Sequence, residues 1–252
     1  MNMNSIDKKE RLFRKFQIEK FGLKKSVPTV SMTVDIYIDR LQEKRALKNN
    51  HLEKENKITI THCFIKAVGH SLTEFPDLYS YFNGKKNISN STIKINLPVA
   101  ENNHVEYVVI ENPQLKRIED IAFEVKKEVI DIRNNSGKFY KEMSRLYKLP
   151  KFIRHIIHNN LNICIKTAAK NYGNFPLTNF GSFGVKNGTP VLSGPIVAAL
   201  CIGSIEIANG VQIIPVTLVF DHRPVDGAYA GKFLNLLKKK IENINFLDTS
   251  EV

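Results

Sequence analysis

The stretch PVTLVFDHRPVDGAYAGKFL, residues 215–234, changes periodicity halfway along. Its first part ends an apolar run from Val211 to Phe220 that reads as a β-strand, and the strand delivers Asp221-His222-Arg223 onto a loop. Asp226-Gly227 then opens a helix that continues to Glu242, with Ala230, Phe233, Leu234, Leu237 and Ile241 at helical spacing. A histidine between two ordered elements is where a general base can be held in place. From the spacing alone a second reading also stands: a structural histidine, with Asp226 as a plain helix N-cap.

Outward from this stretch, helices and strands alternate. Val197 to Ala208 reads as a strand paired to Val211–Phe220 around Asn209-Gly210, the strongest hairpin signal in the chain. Phe175 to Phe180 is a short strand entering the turn NFGSFG. Upstream, VSMTVDIYID alternates as a half-buried strand, and Asp39 is expected to cap a charged helix running through Lys48. Thr59 to Phe75 and Ile118 to Ile132 are amphipathic helices, and residues 7–22 form another. Thr92 to Ala100 and Val105 to Ile110 are strands joined by ENNH. The pattern predicts one α/β sandwich domain over residues 1–252, with a basic helical insert at 134–172.

The 252 residues carry 42% apolar and 25% charged side chains, which excludes a wholly disordered chain. Lys and Arg number 37 against 25 Asp and Glu, a net charge of +12. That excess fits an anionic partner or a coding bias towards Lys, Asn and Ile. Nucleic-acid binding lacks any supporting motif or interleaved aromatics. Cys63, Cys164 and Cys201 lie far apart in apolar stretches, which predicts buried free thiols and neither a disulfide framework nor a zinc site. The N-terminal MNMNSIDKKERLFRKF has no apolar signal core, so a soluble cytoplasmic protein is expected.

The segment D-H-R-x-x-D-G followed by A-x-A-x-x-F-L resembles the signature of the acyltransferase component of 2-oxo acid dehydrogenase complexes, the dihydrolipoamide acyltransferases, relatives of chloramphenicol acetyltransferase. FPLTNFGSFGVKNGTPVLSGPIVAALCIGSIE, VPTVSMTVDIYIDRL and ITITHCFIKAVGHSLTEFPDL resemble further stretches of that family, so the likeness covers most of residues 25–133 and 174–245. It implies a two-layer α/β sandwich with a mixed sheet, assembled as a homotrimer with active sites at the subunit interfaces. It implies coenzyme A or acyl-CoA as substrate, a thiol acceptor such as dihydrolipoamide, and no metal. By this likeness His222 is the general base and Thr178 stands where the family has an oxyanion-binding serine. Asp226 would organise the loop through an arginine (Arg11 or Arg14) or through backbone contacts. Asp221, Arg223, Gly227 and Asn179 would be structural members of the motif.

The sequence departs from the family's pattern in showing no lipoyl or subunit-binding domain, so a stand-alone form is expected, for which a lipoylated protein could be supplied in trans. The insert KLPKFIRHIIHNNL could cap the channel, bind a partner, or touch a membrane through Phe152, Ile153, Ile156 and Ile157. Neither a nucleic acid nor a membrane is an expected partner. Two rival functions remain: an acetyltransferase acting on a hydroxyl or amine, and a non-catalytic trimeric scaffold or regulatory subunit. Smaller signals read as structural: His155 with His158, His62 and His70 beside Cys63, the turn Gly181–Gly184, and the lysines 238–240.

Overall fold

A computed structural model describes residues 11–12, 27–53, 56–160, 163, 165 and 172–248. The helix expected at 7–22 therefore lies, apart from Arg11 and Leu12, outside the described residues, as does Cys164. The strands are β1 (Thr29–Tyr37), β2 (Tyr81–Phe82), β3 (Asn87–Ile88), β4 (Lys94–Glu101), β5 (His104–Glu111), β6 (Phe175–Asn179), β7 (Ala198–Ile202), β8 (Glu206–Ala208) and β9 (Val211–Asp221). The helices are α1 (Asp39–Asn49), α2 (Ile60–Leu72), α3 (Ile118–Arg133), α4 (Lys138–Leu146), α5 (Lys151–Asn159) and α6 (Gly227–Asn243).

The main sheet runs β1-β9-β7-β6-β4-β5, with β8 also on β9. It is mixed: β6 is parallel to both β4 and β7, and the other pairs are antiparallel. Strand alternation sends Ile36, Ile95, Leu97, Val108, Ile110, Leu177, Leu200, Val216, Leu218 and Phe220 to one face. There they meet the apolar stripes of the helices: Phe64 and Val68 of α2, Ile121 and Val125 of α3, and Phe233 and Leu237 of α6. The opposite face carries Thr33, Thr217 and Thr178, with a smaller apolar cluster of Leu192, Ala199 and Val219. At the β5 edge, Phe139 of α4 stacks edge-on against Tyr107 at 4.7 Å and Tyr172 at 5.3 Å, which fastens the first part of the 134–172 segment to the sheet.

Two local expectations need correction. Asp39 does not cap α1 with its side chain: the N-cap position is Ile38, and both Asp39 carboxylate oxygens accept from the Gln212 N–H at 3.2 Å. The carboxylate ties helix to sheet instead of satisfying its own helix terminus. The strand expected from Val197 to Ala208 is broken into β7 and β8 at Gly203. There the segment 185–186 crosses so closely that Ser204 N–H donates to Val185 O at 2.9 Å. A Cβ on Gly203 would sit 1.8 Å from Lys186 O, a backbone atom with no room to yield. Gly203→Ala is expected to lower stability by about 1–3 kcal/mol or more; an unchanged urea midpoint would remove this account of the strand break. The hairpin at Asn209-Gly210 is as expected, with φ of +52° and +80° matching a two-residue primed turn.

Helix α2 begins with a reciprocal cap. His62 N–H donates to Thr59 Oγ1 at 3.3 Å, and Thr59 N–H donates to His62 Nδ1 at 3.1 Å. The buried imidazole is thus held neutral, and burial lowers its pKa to about 4. The unfolded chain binds this proton near pH 6.5 and the folded chain does not, so the contribution is present above pH 6.5 and is lost as pH falls towards 4. Between pH 7 and pH 5 the loss is about 2 kcal/mol. His62→Gln keeps the capping pattern and removes the titration. Urea unfolding at both pH values should show near-native stability at pH 7 and a shallower loss at pH 5; equal losses in the two proteins would reject the assignment.

Candidate active site

The end of β9 is pinned on both sides. Asp221 N–H donates to Val197 O at 2.9 Å, and His222 N–H donates to Pro28 O at 2.9 Å, so the strand is paired up to the residue before the loop. Asp221 is only 2% exposed, and its carboxylate is gripped by the guanidinium of Arg223. Nε donates to Oδ1 at 2.9 Å, Nη2 to Oδ2 at 2.6 Å, and the Arg223 backbone N–H to Oδ1 at 3.0 Å. The fork satisfies a buried carboxylate, and removing one partner of such a pair typically costs about 3–5 kcal/mol. The guanidinium lies 5.0 Å over the Phe82 ring, which joins the loop to the β2–β3 hairpin.

Between these clamps His222 stands exposed. Its Nδ1 is 3.1 Å from Val225 O. A carbonyl oxygen only accepts, so Nδ1 carries the proton and Nε2 presents its lone pair. The Phe220 ring stands 5.8 Å away, edge to face. The loop closes at Asp226, whose Oδ1 accepts from Tyr229 N–H at 2.8 Å as the N-cap of α6. Of the two modes expected for Asp226, the backbone contact is the one found. Among the described residues no arginine bonds it, and Arg14 lies outside them. Gly227 follows, where a Cβ would come within 3.0 Å of Met32 Cε.

Thr178 lies elsewhere on the sheet. It is paired to Cys201 of β7, which is paired to Thr217 of β9, which is paired to Thr33 of β1, giving one row on the face away from the helices. The Thr33 and Thr217 hydroxyls are 2.8 Å apart. The Thr178 hydroxyl is half-buried and makes no hydrogen bond among the described residues, so its O–H is free to donate. Asn179 points to the other face, where Nδ2 donates to Thr61 Oγ1 at 2.9 Å and Oδ1 accepts from Ser182 N–H at 3.0 Å. It shapes the turn after Thr178, together with Gly181, where a Cβ would collide with Gly203 O at 2.1 Å.

Within one chain the structure does not bring these groups together. With strands about 4.8 Å apart and a rise of about 3.3 Å per residue, Thr178 is roughly 16 Å from Asp221 and farther from His222. Sequence reasoning singled out the histidine, both aspartates and the threonine. It did not find the carbonyl of Val225 that sets the tautomer, or the reach of Arg223 over Phe82. The only local signal for the second was an arginine two residues after an aspartate. Burial raises the Cys63 thiol to about 12 and also raises Cys201, so neither is a thiolate nucleophile. Lys238 donates to Asp35 O at 2.7 Å, and Lys240 lies 3.5 Å from Glu74.

This strand-loop-helix constellation on a mixed sheet defines a class, the coenzyme A-dependent acyltransferase fold. A solved structure of chloramphenicol acetyltransferase superposes with a TM-score of 0.56 at 17% identity, covering 95% of both chains. The sequence model of the 2-oxoacid dehydrogenases acyltransferase (catalytic domain) family matches residues 13–145 and 142–248, and the chain belongs to that family. It is 27% identical over 237 residues to the dihydrolipoyllysine-residue acetyltransferase component of the pyruvate dehydrogenase complex of Mycoplasma pneumoniae, covering 89% of this chain and 52% of that protein. A probable dihydrolipoamide acetyltransferase from Listeria monocytogenes is 26% identical, with a TM-score of 0.67 and coverage of 99% and 95%. The chain spans about half the length of the curated relatives it matches.

Proposed function

We propose that this domain moves an acyl group between coenzyme A and a thiol acceptor such as dihydrolipoamide. The observation that carries the reading is the His222 ring. Its Nδ1–H is fixed on Val225 O, and its Nε2 is left as a proton acceptor on an exposed loop. A free thiol has a pKa of about 8.5, so a neutral imidazole is a suitable base near pH 7. Nε2 takes the thiol proton, and the thiolate attacks the acyl thioester carbonyl. The Thr178 hydroxyl donates to the tetrahedral oxyanion. Collapse expels the second thiolate, which recovers the proton from the imidazolium. The transfer is direct and forms no acyl-enzyme.

Because His222 and Thr178 are far apart in one chain, the complete site takes His222 from one subunit and Thr178 from the next. A homotrimer supplies three such sites by a head-to-tail contact that closes on itself. The uncovered side of the molecule suits this, since Phe183, Val185, Val191 and Ile205 are exposed there or in the loops beside it. Action in the cytoplasm, on a lipoylated partner supplied in trans, belongs to the same proposal.

The test is incubation with acetyl-CoA and dihydrolipoamide, with the acyl-thioester product read by mass spectrometry beside His222→Ala. Transfer that disappears in the variant supports the reading. A folded, oligomeric protein that transfers nothing from acetyl-, succinyl- or branched-chain acyl-CoA would overturn it.

A further inference from the structure

The α4–α5 segment carries a feature that acyl transfer does not use. Helix α5 follows Pro150, and the turn into it is braced: Arg154 Nη1 donates to Leu149 O at 2.7 Å and the guanidinium lies 4.6 Å over the Tyr147 ring. From this braced turn an apolar stripe faces outward. Phe152 is 66% exposed, Ile156 58% and Leu149 38%. Their spacing puts them on one side of the helix, with Ile153 and Ile157 half-buried beside them.

The charge around the stripe is one-sided. From Lys138 to Asn160 there are six Lys and Arg residues and one acid, Glu142, which is paired to Arg145 at 2.8 Å. No Asp or Glu occurs from Met143 to Ile205. Lys141, Lys148 and Lys151 are exposed and make no ion pair among the described residues. Several other lysines are matched, as in Lys44–Asp248, Lys94–Glu111, Lys116–Glu124, Lys186–Glu206 and, in α4 itself, Lys138–Glu128, while Lys85, Lys127, Lys232 and Lys239 are exposed without an ion pair among the described residues.

We propose that the α4–α5 segment docks the protein reversibly on an anionic lipid bilayer. Phe152 and Ile156 enter the boundary between headgroups and acyl chains, and Lys148 and Lys151 meet the headgroup phosphates. Three arguments favour lipid over another protein. A helix with one apolar stripe and cationic flanks lies in the plane of such an interface. A uniformly anionic surface requires no placed carboxylates opposite each lysine. The exposed apolar side chains are few, well short of the roughly 800 Å² per partner of a stable protein interface, yet enough for peripheral binding when several cations assist. The segment adjoins the β5 edge, four strands from β9, so docking leaves the His222 loop free. The proposal departs from the sequence-based expectation of no membrane partner, and it is independent of the acyl-transfer reading.

The full chain is floated with vesicles of phosphatidylcholine alone and of phosphatidylcholine mixed with phosphatidylglycerol. Binding is expected only to the mixed vesicles, weakening as salt rises. Phe152→Ser with Ile156→Ser should lower partition about tenfold or more. Lys148→Gln and Lys151→Gln should each lower it about fivefold. All variants should keep the thermal midpoint and the mass by light scattering. Failure to bind the mixed vesicles overturns the proposal. So does binding indifferent to the apolar pair, which would reflect overall charge alone. A change of oligomer mass in the Phe152/Ile156 variant would assign the stripe to contacts between copies instead, and also overturns it.

Discussion

His222→Ala is expected to lower acyl transfer from acetyl-CoA to dihydrolipoamide by about 10²–10⁴-fold while leaving the fold intact. The two halves of this expectation rest on different observations. The rate falls because the only group on the loop with an unprotonated ring nitrogen facing outward is removed, and the incoming thiol then loses its proton to water. Stability holds because the side chain is exposed and its one hydrogen bond among the described residues, to Val225 O, is worth about 1 kcal/mol. The loop keeps its shape through the Asp221–Arg223 fork and the Asp226 cap. Steady-state rates with circular dichroism on the same sample check both halves. A folded variant with native rates would remove His222 from the chemistry.

Thr178→Ala is expected to cost about 10²–10³-fold in rate by removing a single oxyanion donor, with Thr178→Ser close to the native rate because the hydroxyl is kept. Since the hydroxyl bonds nothing among the described residues, its loss should barely move the thermal midpoint. The more searching form of the test combines the two variants. In the proposed homotrimer, co-expressing His222→Ala and Thr178→Ala chains in equal amounts would produce mixed trimers. If each site takes its histidine from one subunit and its threonine from the next, about a quarter of the sites are intact and activity recovers to about a quarter of native. If both residues served one site within a chain, every site would carry a defect and no recovery would occur. Absence of recovery in trimers shown to be mixed would reject the split site.

What the sequence determined about this protein is the set of features that depend on near neighbours. The alternation from Val211 to Phe220, the Asp226-Gly227 helix start and the Asn209-Gly210 turn are short-range signals, and the strand, cap and primed turn are where they place them. The motif around His222 lies wholly in such a stretch, so the family and the candidate base were legible there. Tertiary structure decided what depends on groups distant in the chain. Gly203 breaks a strand because residues 185–186 cross it, and Asp39 leaves its helix terminus because Gln212 of β9 presents a backbone N–H. The separation of Thr178 from His222 follows from the strand order, since β7 lies between β6 and β9. Periodicity fixes which face a side chain takes, because that is set by the backbone repeat. It carries no information on which strands become neighbours, because that is set by burial summed over the whole chain.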